Sequence, residues 1–323
     1  MALVTAASAA LAWLGRQRAR AIAAVVFIAI ALPPLDALLK PYVTEAIFAL
    51  LCVAFLRVDA AALRLHLRRP GLVIAATAWT ALVVPVLFGI TCLAIHLDQK
   101  APDLFLALML QAVASPMMAA PAFAALMGLD ATLVLTTLVA ATALMPFSAP
   151  LFACAFIGPA LALSPLALGL KLFAILAGSL LVAVIIRRLL GRAAIRHYSD
   201  QFDGLNILLV FFFVAAVMED VAGQFIAAPA AMIGLTALAF VVTFALLGVT
   251  ALVFARLGRE PSFVIGLLVS QRNLGLMLAA TGGAVPALTW LYFAVAQLPL
   301  YLSPLLLSPL VRRLTRQRQL GRA

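Results

Sequence analysis

From Pro70 to Ile95, and again from Val221 to Phe254, the chain runs without a single Asp, Glu, Lys or Arg side chain. Stretches of that length leave few options. In lipid every backbone N–H and C=O must find its partner inside the segment, so an apolar run of about 20 residues has to be a helix, whereas a membrane barrel shows alternation over about ten residues. No such alternation occurs. With 67% hydrophobic and 10% charged residues and a mean hydropathy of +1.21, the 323-residue chain reads as an all-α integral membrane protein, and the lipid bilayer is its first partner.

Divided at charge clusters and Pro/Gly punctuation, the sequence predicts ten spans at about 20–39, 42–57, 70–97, 101–127, 130–155, 163–187, 204–226, 229–256, 261–283 and 286–311. The basic residues agree with that count. If odd spans run outward and even spans return, 18 of the 22 Lys and Arg fall on the inner side, in clusters at Arg16–Arg20, Arg57–Arg69, Arg187–Arg196, Arg256–Arg259 and Arg312–Arg322, while Lys40 and Lys100 stand outside. The net charge of +11 is therefore a matter of membrane topology and predicts no nucleic-acid partner. The expected protein is multi-pass in an inner or plasma membrane with both termini cytoplasmic. Residues 1–19, apolar first and basic last, reverse the order of a signal peptide and are expected to lie at the interface, and residues 312–323 form a basic tail. Cys52, Cys92 and Cys154 lie in separate apolar segments without metal-site spacing and are expected to serve packing.

Ten spans with both ends inside divide into two sets of five that enter from opposite faces, about 20–155 and 163–311. Spans four and nine then hold equivalent places. Each interrupts an apolar run in mid-membrane, "VASPMMAAPAFAAL" from Val113 and "LVSQRNLGLMLAAT" from Leu268, an alignment that sets Ser115 against Ser270 and Pro116 against Gln271. Such interruptions are expected where broken transporter helices meet at the midplane. The second holds Arg272, and a charge near the bilayer centre costs roughly 2.5–3.5 kcal/mol on insertion scales, so it points to function or to the architecture of a helix crossing. Pairing with Glu45 or Glu219 is the structural alternative. Ser270, Gln271 and Asn273 beside it serve either the site or interhelical hydrogen bonding. No HExxH, GxSxG or paired intramembrane aspartates occur, which argues against an enzyme.

At these segments the chain resembles the bile acid:sodium symporter family. The resemblance is carried by "LRVDAAALRLHLRRP" closing span two, the Pro70 to Pro85 frame of span three, "SPMMAAPAFAALMGLDATLVLTTLVAATALMP" through spans four and five, and "VSQRNLGLMLAA" in span nine. It implies ten helices in two inverted five-helix repeats, a panel domain, and a core domain with broken crossing helices four and nine. It also implies sodium held by oxygen ligands, but the matching positions depart from that chemistry. The family's glutamate and glutamine of span nine fall on Leu268 and Arg272, its Ser-Asn pair of span four near Ala120, Pro121 and Ala122, its span-five hydroxyls on Val134 and Leu138, and its span-three glutamine on Thr80. Aliphatic side chains cannot cage a hard cation, and arginine offers five donors and no acceptor.

The expectation is secondary transport of a small organic anion by alternating access. Arg272 takes the place of the coupling cation, and no metal or other cofactor is required. The candidate crossover and substrate residues are Thr80, Ser115, Pro116, Pro121, Ser270, Gln271, Arg272 and Asn273. Two alternatives remain at this level: sodium symport through a relocated site built on backbone carbonyls, and an anion channel with Arg272 as its filter.

Overall fold

The computed structural model of the protein describes residues 2–17, 19–31, 38–58, 70–158, 161 and 163–320. Of the inner-side basic residues, Arg18, Arg64, Arg68, Arg69 and Arg322 lie outside the described residues, as does most of the stretch closing span two. The described residues are almost entirely helical and contain no strand. Six helices are long and apolar enough to cross a membrane. They are α4 (Pro70–Ala94), α7 (Ala131–Ile157), α8 (Pro165–His197), α9 (Ser199–Val217), which the short α10 (Val221–Ala227) follows, α11 (Pro229–Val253) and α14, which spans Ala287–Leu320 and is apolar over Ala287–Leu314. The outward face of α8 exposes Leu166, Leu170, Phe173 and Leu181. Apolar surface of this kind is soluble only in lipid, and the chain is a multi-pass membrane protein.

Four of the ten expected spans fall on shorter or interrupted helices. The first two correspond to α2 (Ala19–Ile30) and α3 (Val43–Arg57), 12 and 15 residues long, or about 18 and 22 Å of rise. The fourth is split into α5 (Pro102–Val113) and α6 (Ala120–Leu126), and the ninth into α12 (Arg259–Ser270) and α13 (Leu274–Thr281).

Local sequence accounts for the ends of these pieces. Asp130 accepts from the Thr132 and Leu133 N–H groups and starts α7, and Ser164 accepts from Ala167 to start α8, both filling donors that a first turn leaves open. Asn273 does the same for α13 through Leu276. At the far end of α3, Nη2 of Arg187 on α8 donates to the carbonyls of Phe55, Leu56 and Val58 at 2.7, 2.7 and 3.1 Å, so one guanidinium closes a helix terminus on a neighbouring helix.

Helices α3 and α9 are joined by an ion pair at each end. Arg57, closing α3, pairs with Asp203 in the first turns of α9, and Lys40, just before α3, pairs with Glu219, just after α9. The two helices therefore run antiparallel.

Helix extends into both terminal segments. The segment expected to lie at the interface forms α1 (Ala2–Arg16), which packs on α9 where Gly15 and Gly204 meet: a Cβ on Gly15 would stand 2.9 Å from the Gly204 nitrogen, and one on Gly204 would run into the Leu11 backbone. Small residues allow that approach. At the other end α14 continues through residue 311 to Leu320, because nothing between Val311 and Leu320 breaks a helix.

Candidate functional site

The two interrupted helices meet at their breaks. Pro116 and Arg272 face each other as an isolated antiparallel bridge, closed by Met117 N–H donating to the Gln271 carbonyl at 2.6 Å and Asn273 N–H donating to the Ser115 carbonyl at 2.8 Å. In this geometry the facing pair donates nothing across the bridge. Proline, which has no N–H, therefore fits at 116 without loss. The bridge sets Pro116 against Arg272, Ser115 against Asn273 and Met117 against Gln271.

Arg272 is 1% exposed. Its Nη1 donates to the Ala114 carbonyl at 2.8 Å and to the Thr80 carbonyl at 3.3 Å. Both acceptors are products of broken helix ladders. Helix α5 stops at Val113, so no following turn occupies the Ala114 carbonyl. In α4 a π-helical turn at Trp79–Val83 sends the Val84 N–H back to the Trp79 carbonyl. The next residue, Pro85, has no N–H to offer Thr80. Nε and Nη2 of Arg272 have no hydrogen-bond partner among the described residues. Among the described residues no carboxylate pairs with it: Glu219 is engaged by Lys40, and Glu45 is exposed in the first turn of α3.

The remaining expected residues surround the bridge in different ways. Gln271 is buried and donates from Nε2 to the Ser303 hydroxyl at 3.0 Å. The Ser270 hydroxyl returns to the Leu267 carbonyl at 2.8 Å, a local bond inside α12. Ser115 contributes its carbonyl to the bridge, whereas its hydroxyl is buried without a partner among the described residues. Thr80 donates its hydroxyl to the Ala76 carbonyl at 2.6 Å and offers only its own carbonyl to Arg272. Pro121 sits in the first turn of α6.

Val134, Leu138 and Leu268, the positions where the resemblance implies sodium ligands, are buried in one apolar cluster with Ala120, Ala124 and Val264. Their side chains contain no oxygen to offer a cation.

A cavity of about 550 Å³ reaches the bridge. Its deep end is lined by Arg272, Asn273, Gln297 and Tyr301, its walls by apolar side chains such as Ile47, Leu51, Leu138 and Phe213, and its other end by Arg57, Asp203 and Asn206. Asp203 is already paired with Arg57. The cavity thus combines apolar walls with a deep cation that pairs with no carboxylate among the described residues. Sequence reasoning did not find Asn206, Tyr301 or Ser303, because nothing local distinguishes a polar residue lining a cavity from one satisfied inside a helix bundle. Pro85 did carry a signal: a proline five residues after Thr80 marks the carbonyl that a π-turn leaves open.

Comparison with known proteins returned no matching family model and no matching curated relative.

Proposed function

We propose that the protein is a secondary transporter of a small organic anion rather than an enzyme, with ten spans in two inverted repeats and both termini on the cytoplasmic side of an inner or plasma membrane. In this reading Arg272 is the built-in positive charge of the helix crossing and does the work that a bound sodium ion does in the bile acid:sodium symporter family, which the chain resembles in the order and spacing of its motifs. The observation that carries the proposal is the incomplete bonding of Arg272. A guanidinium kept only to tie the crossing together would have its donors filled, since a buried charge with unmet donors is costly. Here one nitrogen serves the crossing, while Nε and Nη2 are unmet in a residue that lines the cavity. Both nitrogens are themselves buried, so an anion reaches them only as the crossing opens, and a carboxylate would then meet both in the fork geometry that suits arginine. The first turn of α13, whose Leu274 and Gly275 also line the cavity, adds the positive end of a helix dipole.

The apolar cluster at Val134, Leu138 and Leu268 supports loss of the family's sodium coupling. The cavity is lined by Arg57 and Asp203 at the end the charge pattern assigns to the cytoplasm, so the molecule rests inward-facing, and rocking of one helix group against the other carries the site across.

A thermal-shift series in sodium-free choline buffer, using bile acids, keto acids and steroid sulfates, tests the reading. At least one anion is expected to stabilise the wild type, by about 2.7 kcal/mol at a hundredfold excess over Kd, and to lose that effect with Arg272→Gln. Stabilisation that survives Arg272→Gln would place the anion elsewhere.

A further inference from the structure

The end of the molecule opposite the cavity is closed by contacts that the crossing does not need. Helix α9 stops at Val217, and the chain turns through Met218, Glu219 and Asp220, the last at φ 62°. That stop leaves the Val217 carbonyl without a following turn, and Trp290 Nε1 on α14 donates to it at 3.0 Å. The Lys40 ammonium lies 4.9 Å from the centre of the same indole ring while it pairs with Glu219. Thr289, the residue before Trp290, donates its hydroxyl to the Asp103 carbonyl at 2.7 Å, which ties this end of α14 to α5 and so to the crossing. Trp290 therefore belongs with the crossing helices, and Lys40, Val217 and Glu219 belong with α3 and α9.

A second, deeper layer lies at Gly275 on α13. A Cβ there would stand 2.8 Å from the Phe213 ring of α9 and would run into Ile47 of α3.

The two ends of the α3/α9 pair are not equally firm. Arg57 sits at the C-terminus of one helix and Asp203 at the N-terminus of the other, so both dipoles favour that pair. Lys40 and Glu219 occupy the reverse positions, so both dipoles oppose theirs.

We propose that Trp290, Lys40 and Glu219 form a latch that holds the outer side shut, and that Trp290 must release the Val217 carbonyl and the Lys40 ammonium before Arg272 can face outward. The inference rests on the alternating-access reading above. Opening of the latch can nevertheless be read without any transported anion.

The test uses Met218→Cys, a position 1% exposed beside the latch, in full-length protein with Cys52, Cys92 and Cys154 replaced by serine. Labelling by a membrane-impermeant maleimide is measured from the outer side. Trp290→Phe, which keeps the ring but not the donor, and Lys40→Met are each expected to raise the labelling rate about fivefold, the population shift that goes with losing one such contact. Lys40→Arg, which keeps the charge for both the carboxylate and the ring, is expected to label at the parent rate. Unchanged labelling in Trp290→Phe and Lys40→Met would overturn the latch, as would an equal rise in Lys40→Arg. Lys40 is partly exposed, so its variants report even if Trp290→Phe fails to fold. A labelling shift in a protein that binds no anion would leave the latch standing and overturn only the substrate reading.

Discussion

The two breaks that meet at the crossing perform the same backbone task with different chemistry. Each contributes one N–H and one C=O to a two-bond bridge. The first, "ASPMMA", does so with no charged side chain, and α6 begins after it at Ala120, its N-cap Ala119 making no side-chain hydrogen bond. The second, "SQRN", is polar throughout, and Asn273 caps the helix that follows. Since the bridge needs only backbone, the polar residues of the second break must serve something else. Gln271 anchors the break to α14 through Ser303, and Arg272 fills two carbonyls that broken ladders expose while two of its nitrogens find no partner among the described residues. The first break supplies acceptors, and the second supplies the cation that uses them.

The comparison breaks most sharply at the backbone. Met117→Pro would remove the donor to Gln271 where Pro116 removes none, and the buried carbonyl left unmet should cost about 1–3 kcal/mol. The expected result is a protein that no longer survives detergent extraction as a monodisperse peak. Pro116→Ala, which alters no donor of the bridge, should extract normally. Equal behaviour of the two variants would mean that the bridge does not hold the crossing.

The next largest effect concerns the cation. Arg272→Gln combined with Leu268→Glu places a carboxylate and an amide near the Thr80 and Ala114 carbonyls that Arg272 leaves behind, and carboxylate, amide and carbonyl oxygens suit a hard cation. Sodium is expected to raise the melting temperature of this double variant, by about 2–4 °C for each kcal/mol gained, and to leave the wild type unmoved. Absence of any sodium response in the double variant would count against a shared site.

The smallest effect belongs to the cap. Asn273→Ala should cost about 0.5–2 kcal/mol, seen as a modest fall in melting temperature. Ala119→Gly at the uncapped break should not lower it, since glycine is a better N-cap than alanine.

Sequence reasoning located both breaks and the buried arginine, because helix-weakening residues inside a lipid-length apolar run and a charge within one are costly enough to be visible in composition alone. It did not find the register of the bridge, which depends on backbone pairing between segments about 150 residues apart. Nor did it find the partners of Arg272. Those are carbonyls, which every residue possesses, and only the π-turn and Pro85 select Thr80. The shared ends of α3 and α9 were legible only as charges: Arg57 and Lys40 were assigned to sides, but their pairing with Asp203 and Glu219 arises from packing. The helix at Ala2–Arg16 escaped because its apolar run is too short for a span, and its close approach at Gly15 and Gly204 is a tertiary feature.

Uptake into proteoliposomes of an anion that stabilises the purified protein, compared in sodium and in choline buffer of equal ionic strength, tests most directly whether Arg272 replaces the coupling ion. Equal uptake in the two buffers, abolished by Arg272→Gln, is the predicted result; uptake that requires sodium, or a saturable sodium-binding isotherm on the wild type, would contradict it.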